Sequence, residues 1–153
     1  MSDRVDAVWR WSMRYAYRLQ LAWWFVRRPK ISGAYVAVWY EGQVLVIRNS
    51  YRRKLSFPAG GLKRRETPVD AAVRELGEEV GIAARSEDLL YHGEILNRSG
   101  YAEDHAHFFE LFCDEAPTVR VDRREVVSAE FVAPDEALAR GVVGAVQIYL
   151  EGR

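Results

Sequence analysis

The sequence predicts a mixed α+β domain in which strands outnumber helices. Five β-branched and aromatic stretches are spread along the chain, and a capped amphipathic helix interrupts them after the second. At 153 residues the chain has the length of one domain, and its 49% hydrophobic content is ordinary for a globular protein with a real core. It holds no low-complexity tract and no internal repeat. A formal net charge of zero argues against general nucleic-acid binding. The single cysteine, Cys113, excludes an internal disulfide and fits a reducing, cytoplasmic compartment. It falls in an apolar run, as buried filler rather than a nucleophile.

Residues 1–30 stand apart in composition. They hold Trp9, Trp11, Trp23 and Trp24, four of the five tryptophans, and seven basic residues against Asp3 and Asp6, for a net +5 that leaves −5 on the remainder. Arg10, Arg14 and Arg18 recur every fourth residue, which aligns them on one face of a helix. Pro29 ends that helix. Leu19 to Val26 is an uncharged run of eight residues, too short to span a bilayer, and no small-residue cleavage site follows it. Three roles compete: packing on its own domain, which is favoured, a homodimer through this helix, or contact with a membrane surface.

Strands follow at Ala34 to Tyr40 and Gln43 to Arg48, joined across Glu41 and Gly42 as a hairpin. Glu94 to Asn97, His105 to Phe112 and Val126 to Val132 complete the set. Pro134 to Arg140 reads as a short helix and Val142 to Glu151 as another.

The central helix is strongly signalled. Thr67 caps it, Pro68 takes the first position where a missing N–H costs nothing, Asp70 stands three residues after the cap, and Gly81 stops it. Val69, Ala72, Val73, Leu76 and Val80 form one apolar stripe. Glu75, Glu78 and Glu79 share an arc of roughly 100° at the edge of that stripe. Two charges about 4 Å apart repel by roughly 4 kcal/mol near a protein surface, so such a cluster calls for a positive partner. Oxygen donors without Cys or His suit a hard ion, Mg²⁺ or Mn²⁺, rather than zinc. Arg74, one turn before Glu78, is placed to pair with it, and the Gly60 and Gly61 backbone can approach a metal or phosphate closely. A solvated acidic face would explain the charge count alone, but not the glycines and caps around it.

The segment from Gly60 to Ile82, GGLKRRETPVDAAVRELGEEVGI, resembles a complete Nudix box. Nine positions match at fixed spacing: Gly60, Glu66, Arg74, Glu75, Leu76, Glu78, Glu79, Gly81 and Ile82. The resemblance implies a mixed sheet between helices, an α/β/α sandwich, over residues 31–153, preceded by the added helix. It implies a Mg²⁺-dependent pyrophosphohydrolase that cleaves a nucleoside diphosphate linked to another group by attack of water. Glu75, Glu79 and the Gly60 carbonyl would be metal ligands, with Glu78 contributing directly or through water. Arg74 would orient the glutamates and Glu66 would steady loop and helix. Two positions depart from the common pattern: Ala59 and Arg65 each stand where a glycine is usual.

Relatives often carry a base or extra ligand outside the box, and Glu125 stands at a comparable place, with Glu103 and Asp104 as alternatives. His105 and His107 alternate along a strand, but two histidines make a weak metal site and suit hydrogen bonding better. Lys63 and Arg64, with Arg65 beside them, are candidates to attract substrate phosphates, although such a triplet is often only solvated. Tyr101 is a near match to the tyrosine of dinucleoside polyphosphate enzymes, and Arg98 stands where ADP-ribose enzymes tend to carry proline. Tyr51 and Phe57, with Tyr101, are candidates to stack on a base or to fill the core. The rival functional class is a Nudix-fold binding or regulatory module without turnover, at a membrane surface or free. Retention of every box glutamate argues against it.

Overall fold

The computed structural model describes residues 2–98 and 101–153. In chain order these form α1 (Ser2–Arg27), β1 (Lys30–Tyr40), β2 (Gln43–Asn49), β3 (Ala59–Gly61), α2 (Pro68–Val80), β4 (Leu90–Asn97), β5 (Glu103–Phe112), β6 (Val126–Val132), α3 (Pro134–Arg140) and α4 (Gly144–Glu151), with one 3₁₀ turn at Ser86–Asp88. The sheet order is β4-β5-β1-β2-β6, with β3 paired to β1 off this path.

Long β1 organises the sheet because it is buried on both faces. It runs parallel to β5 from Lys30↔Glu103 to Trp39↔Phe112. On its other edge the N-terminal half pairs with β3 and the C-terminal end with β2, both antiparallel. Its side chains alternate. Ala34, Val36 and Val38 join Leu45, Ile47, Leu76, Val80 and Phe109 in the core beneath α2. Ala37 and Trp39 join Phe57, Phe108, Val146 and Tyr149 in a second core beneath α3 and α4. This is an α/β/α sandwich, with a helix layer on each face of the sheet.

Local chemistry sets the element ends. Glu41 and Gly42 both take positive φ, 48° and 76°, which the tight β1–β2 hairpin requires. The Asp70 amide donates to the Thr67 hydroxyl at 3.3 Å at the head of α2. Gly81 ends that helix at φ 67°. Some sequence expectations shift. Two elements went unanticipated, β3 and the 3₁₀ turn. β4 starts at Leu90 rather than Glu94, and α4 at Gly144 rather than Val142, because Val142 bridges Leu55 as an isolated β-pair. Lys30, assigned to the N-terminal segment, is the first residue of β1.

Helix α1 touches the sandwich with side chains of one face. Arg14 Nε donates to the Ser50 carbonyl at 3.0 Å, and the Tyr17 ring lies 5.1 Å from that of Tyr51. Phe25 meets Tyr101 edge-on at 5.4 Å. No helix among the described residues is long and apolar enough to cross a membrane.

The turn entering α2 carries a local cost. The Glu66 amide donates to the Lys63 carbonyl at 3.0 Å, and Arg65 within this turn has φ 65°. Glycine takes that conformation freely and a side chain does not. Arg65→Gly is therefore expected to stabilise the protein by up to about 1 kcal/mol, read as a higher urea midpoint at unchanged m value. Ala59, the other departure, has no positive φ and sits in β3 without this cost.

Candidate active site

The two core glutamates of α2 do not stay at the edge of its apolar stripe. Glu75 is 8% exposed and Glu79 5%, whereas Glu78 remains open to solvent. What buries the pair is β3, laid across the start of β1. A Cβ at Gly60 would fall 1.8 Å from Glu75 Oε1, so any side chain there would have to displace this carboxylate. Glu79 Oε2 accepts from the Ala59 amide at 2.8 Å, and Asn49 Nδ2 donates to its other oxygen over a longer 3.4 Å.

Arg74 ties these parts together. Its Nε and Nη2 donate to the two Glu66 oxygens at 2.7 and 3.0 Å, a fork that a lysine cannot copy. Nη2 also donates to the Gly61 carbonyl at 3.1 Å, and Nη1 reaches Glu75 and, at 3.2 Å, Glu78. Glu66 Oε2 in turn accepts from the Lys63 amide at 2.8 Å. The Arg74 fork, with the Lys63 amide, draws the Glu66 carboxyl down to about 2.

Electrostatics mark Glu79. Burial pushes its carboxyl up to about 8; the negative charge of Glu75 and Glu125 pushes the same way, and the Ala59 amide only partly opposes them. Burial also raises Glu75, against the pull of Arg74. Glu125 stands beside the pair and accepts from the Tyr51 hydroxyl at 3.3 Å. As the side chains stand, no three acidic, histidine or cysteine side chains among the described residues close on one ion. Glu78 instead turns toward Arg74 and Lys63. The donor set nevertheless fits a hard divalent cation: every candidate group is an oxygen, the Gly60 backbone abuts a carboxylate, and the two buried carboxyls gain from positive charge.

A cavity of about 1010 Å³ opens over Gly60, Glu75, Glu78 and Glu125. Among the other sequence candidates, Tyr51, Phe57, Tyr101 and Asp104 line it. Lys63 and Arg64 lie on the exposed turn and do not line it, although the Lys63 ammonium comes within 3.8 Å of Glu78 at its edge. The basic residues that do line it are Arg52, Arg53 and Lys54, a second triplet that sequence reasoning passed over. Glu103 bonds Arg98 and Lys30, and His105 bonds Glu94 and Glu103. His107 meets the Tyr91 hydroxyl, so both histidines hydrogen-bond within the sheet.

Met13, Tyr17, Gln20 and Trp24 of α1 form part of the cavity wall, which sequence reasoning also missed. The Arg52 guanidinium sits 5.1 Å from the Tyr17 ring and 5.4 Å from that of Tyr51. Its Nε is buried without a hydrogen-bond partner. The adjacency of a basic triplet to Pro58 and the glycine loop was the available signal.

A family model for the NUDIX domain matches residues 29–151, and the chain belongs to the Nudix family. An RNA pyrophosphohydrolase from Psychrobacter cryohalolentis is 50% identical over 50 residues, 33% of this chain and 29% of that protein. Another from Pseudomonas paraeruginosa is 51% identical over 43 residues, 28% of this chain and 27% of the relative. The matches thus span under a third of these curated relatives' length. Among solved structures, the MutT protein of Methanosarcina mazei superimposes with TM-score 0.67 at 19% identity, covering 82% of this chain and 93% of that one. A bifunctional NMN adenylyltransferase/ADP ribose pyrophosphatase of Francisella tularensis, solved with AMP and a manganese ion, gives 0.69 at 16% identity over 90% and 46%. At these identities the likeness is one of fold.

The raised Glu79 carboxyl gives a stability test. An unfolded glutamate ionises near 4.5, and this one at about 8. Its contribution to stability is full below pH 4.5 and is lost as pH rises toward 8. In chelator-treated protein at pH 8, Glu79→Gln is expected to raise Tm by several degrees, at about 2–4 °C per kcal/mol. The gain is expected to vanish at pH 4.

Proposed function

We propose that this protein is a Mg²⁺- or Mn²⁺-dependent Nudix pyrophosphohydrolase. Its substrate is a nucleoside diphosphate linked to a further group X, and its products are NMP and phospho-X. The observation that carries this reading is the burial of Glu75 and Glu79 against a glycine strand, which leaves paired carboxyls in want of a cation, with Glu75 on the wall of a large cavity and Glu79 behind the Ala59 amide. Retention of every box position supports turnover over a purely regulatory role.

Glu75, Glu79 and the Gly60 carbonyl would hold the ion, with Glu78 swinging in from solvent. The bound cation supplies charge neutralisation for the diphosphate and acidifies a coordinated water. The chain's own residues do the rest. Arg74 holds Glu75 and the Gly61 carbonyl in place and is itself locked by Glu66. Glu125 is the candidate to take the proton from the attacking water, and the Tyr51 hydroxyl orients it. Arg52 offers a cation from the wall to the phosphate oxygens, while Tyr17, Tyr51 and Tyr101 offer faces for a base. Lys63 and Arg64 stand outside the cavity and would act on approach of the anion, not on its bound state. A cytoplasmic setting accords with the single Cys113, a free thiol.

The test is incubation of purified protein with Mg²⁺ and dNTPs, ADP-ribose, NADH, dinucleoside polyphosphates, sugar nucleotides, capped RNA and 5′-triphosphorylated RNA. The last follows the name borne by the relatives. Release is read by phosphatase coupling, and mass spectrometry of products assigns the cleaved bond. Glu79→Gln is expected to lower kcat by at least about a hundredfold with the fold intact. No release from any substrate, or equal release by that variant, sinks the enzyme reading. Arg52→Ala is expected to raise KM about tenfold with kcat largely kept, since it removes a binding contact rather than a metal ligand.

A further inference from the structure

We propose that the outward face of α1 docks on an anionic membrane surface and holds the Nudix domain there. At 100° per residue, Val8, Trp11, Tyr15, Leu19, Ala22, Trp23 and Val26 share an arc of roughly 120°. The large side chains on it are all open to solvent, from 49% at Tyr15 to 77% at Val26. Ser12 lies in the same arc, and its hydroxyl is tied to the Val8 carbonyl at 2.7 Å. Trp11 and Tyr15 touch at 4.3 Å, so the strip is a continuous aromatic and aliphatic surface about 27 Å long. The opposite face is already engaged, through Arg14 on Ser50 and Tyr17 on Tyr51. The domain's own packing therefore does not cover this strip.

Charge decides what does. From Ala7 to Lys30 the sequence has six basic residues and no Asp or Glu. Arg18 borders the strip on one side and Arg27 on the other, the latter with its guanidinium 5.0 Å over the Trp23 ring. Two copies paired through this face would set Arg18 and Arg27 of each against the same pair of the other, with no carboxylate from Ala7 onward in the helix to offset them. Anionic headgroups meet the same cations with opposite charge, while the tryptophans reach the acyl boundary. The remainder of the chain carries −5, so the same field turns the helix toward the lipid and the body away from it.

The test uses the full chain with vesicles of phosphatidylcholine, alone or mixed with phosphatidylglycerol. Cosedimentation with the mixed vesicles only, weakened by salt and accompanied by a blue shift of tryptophan emission, is expected. A variant carrying both Leu19→Glu and Val26→Glu is expected to lose at least about tenfold in partitioning. Ile148→Glu, which alters an exposed apolar residue on α4, is expected to bind as the wild type does. Circular dichroism and melting confirm that each variant is folded. Should the double variant misfold, Arg18→Gln with Arg27→Gln serves in its place, with weaker binding and a shallower salt dependence expected. Three results overturn the proposal. The first is wild-type protein that stays in the supernatant with anionic vesicles. The second is binding unchanged by the α1 substitutions. The third is a solution dimer that they convert to monomer with no vesicle binding at any stage, which would make the strip a self-interface.

Discussion

Ionised carboxylates resist burial, and α2 places two of them under the edge of a sheet. Water is removed from Glu75 and Glu79 by β3, and β3 can lie so close because Gly60 has no side chain. The conflict is moderated rather than removed. Arg74 answers Glu75, and the Ala59 amide answers one oxygen of Glu79. The remaining demand for positive charge lies beside the cavity that Glu75 lines. Helix caps, the turn at Lys63 to Glu66 and the Arg74 fork all serve to keep that arrangement in register.

The two faces of β1 divide the work. Ala34, Val36 and Val38 seat α2, and with it the glutamates. Tyr35 turns the other way, stacks on Phe108 at 5.0 Å and donates its hydroxyl to Asp104 at 3.1 Å on the cavity wall. One strand thus fixes the acidic floor and part of the aromatic wall, and the parallel β5 alongside keeps both from drifting. Rigid positioning of this kind is what a site built on facing elements requires.

How much of this could be read beforehand follows from the range of each interaction. Helix α2, its caps and the glutamates are local patterns of spacing and charge, and they appear where the sequence put them. Strand β6 agrees to the residue, since Val126 to Val132 is rich in the β-branched and aromatic residues that suit a strand. Strand β3 has only Ala59, Gly60 and Gly61, with no pattern to read, and exists because β1 offers it an edge. The parallel pairing of β1 with β5 joins segments about 70 residues apart and leaves no local trace. Tyr17 and Arg52 meet across 35 positions through a ring face, a contact that no periodicity announces. Glu125 stands out in the sequence only through the resemblance, because a loop carboxylate looks like any other until Tyr51 and Glu79 are beside it.

Among the described residues, helix α1 reaches the cavity with side chains and takes no part in the pairing of the strands or in the two buried cores. Residues such as Met13 and Gln20 can therefore be exchanged without touching the cores that hold the sheet together. In most compact domains, altering a pocket means altering the packing that supports it. Here part of the wall is an attachment, so its side chains can change while the packing of the two cores stays as it is.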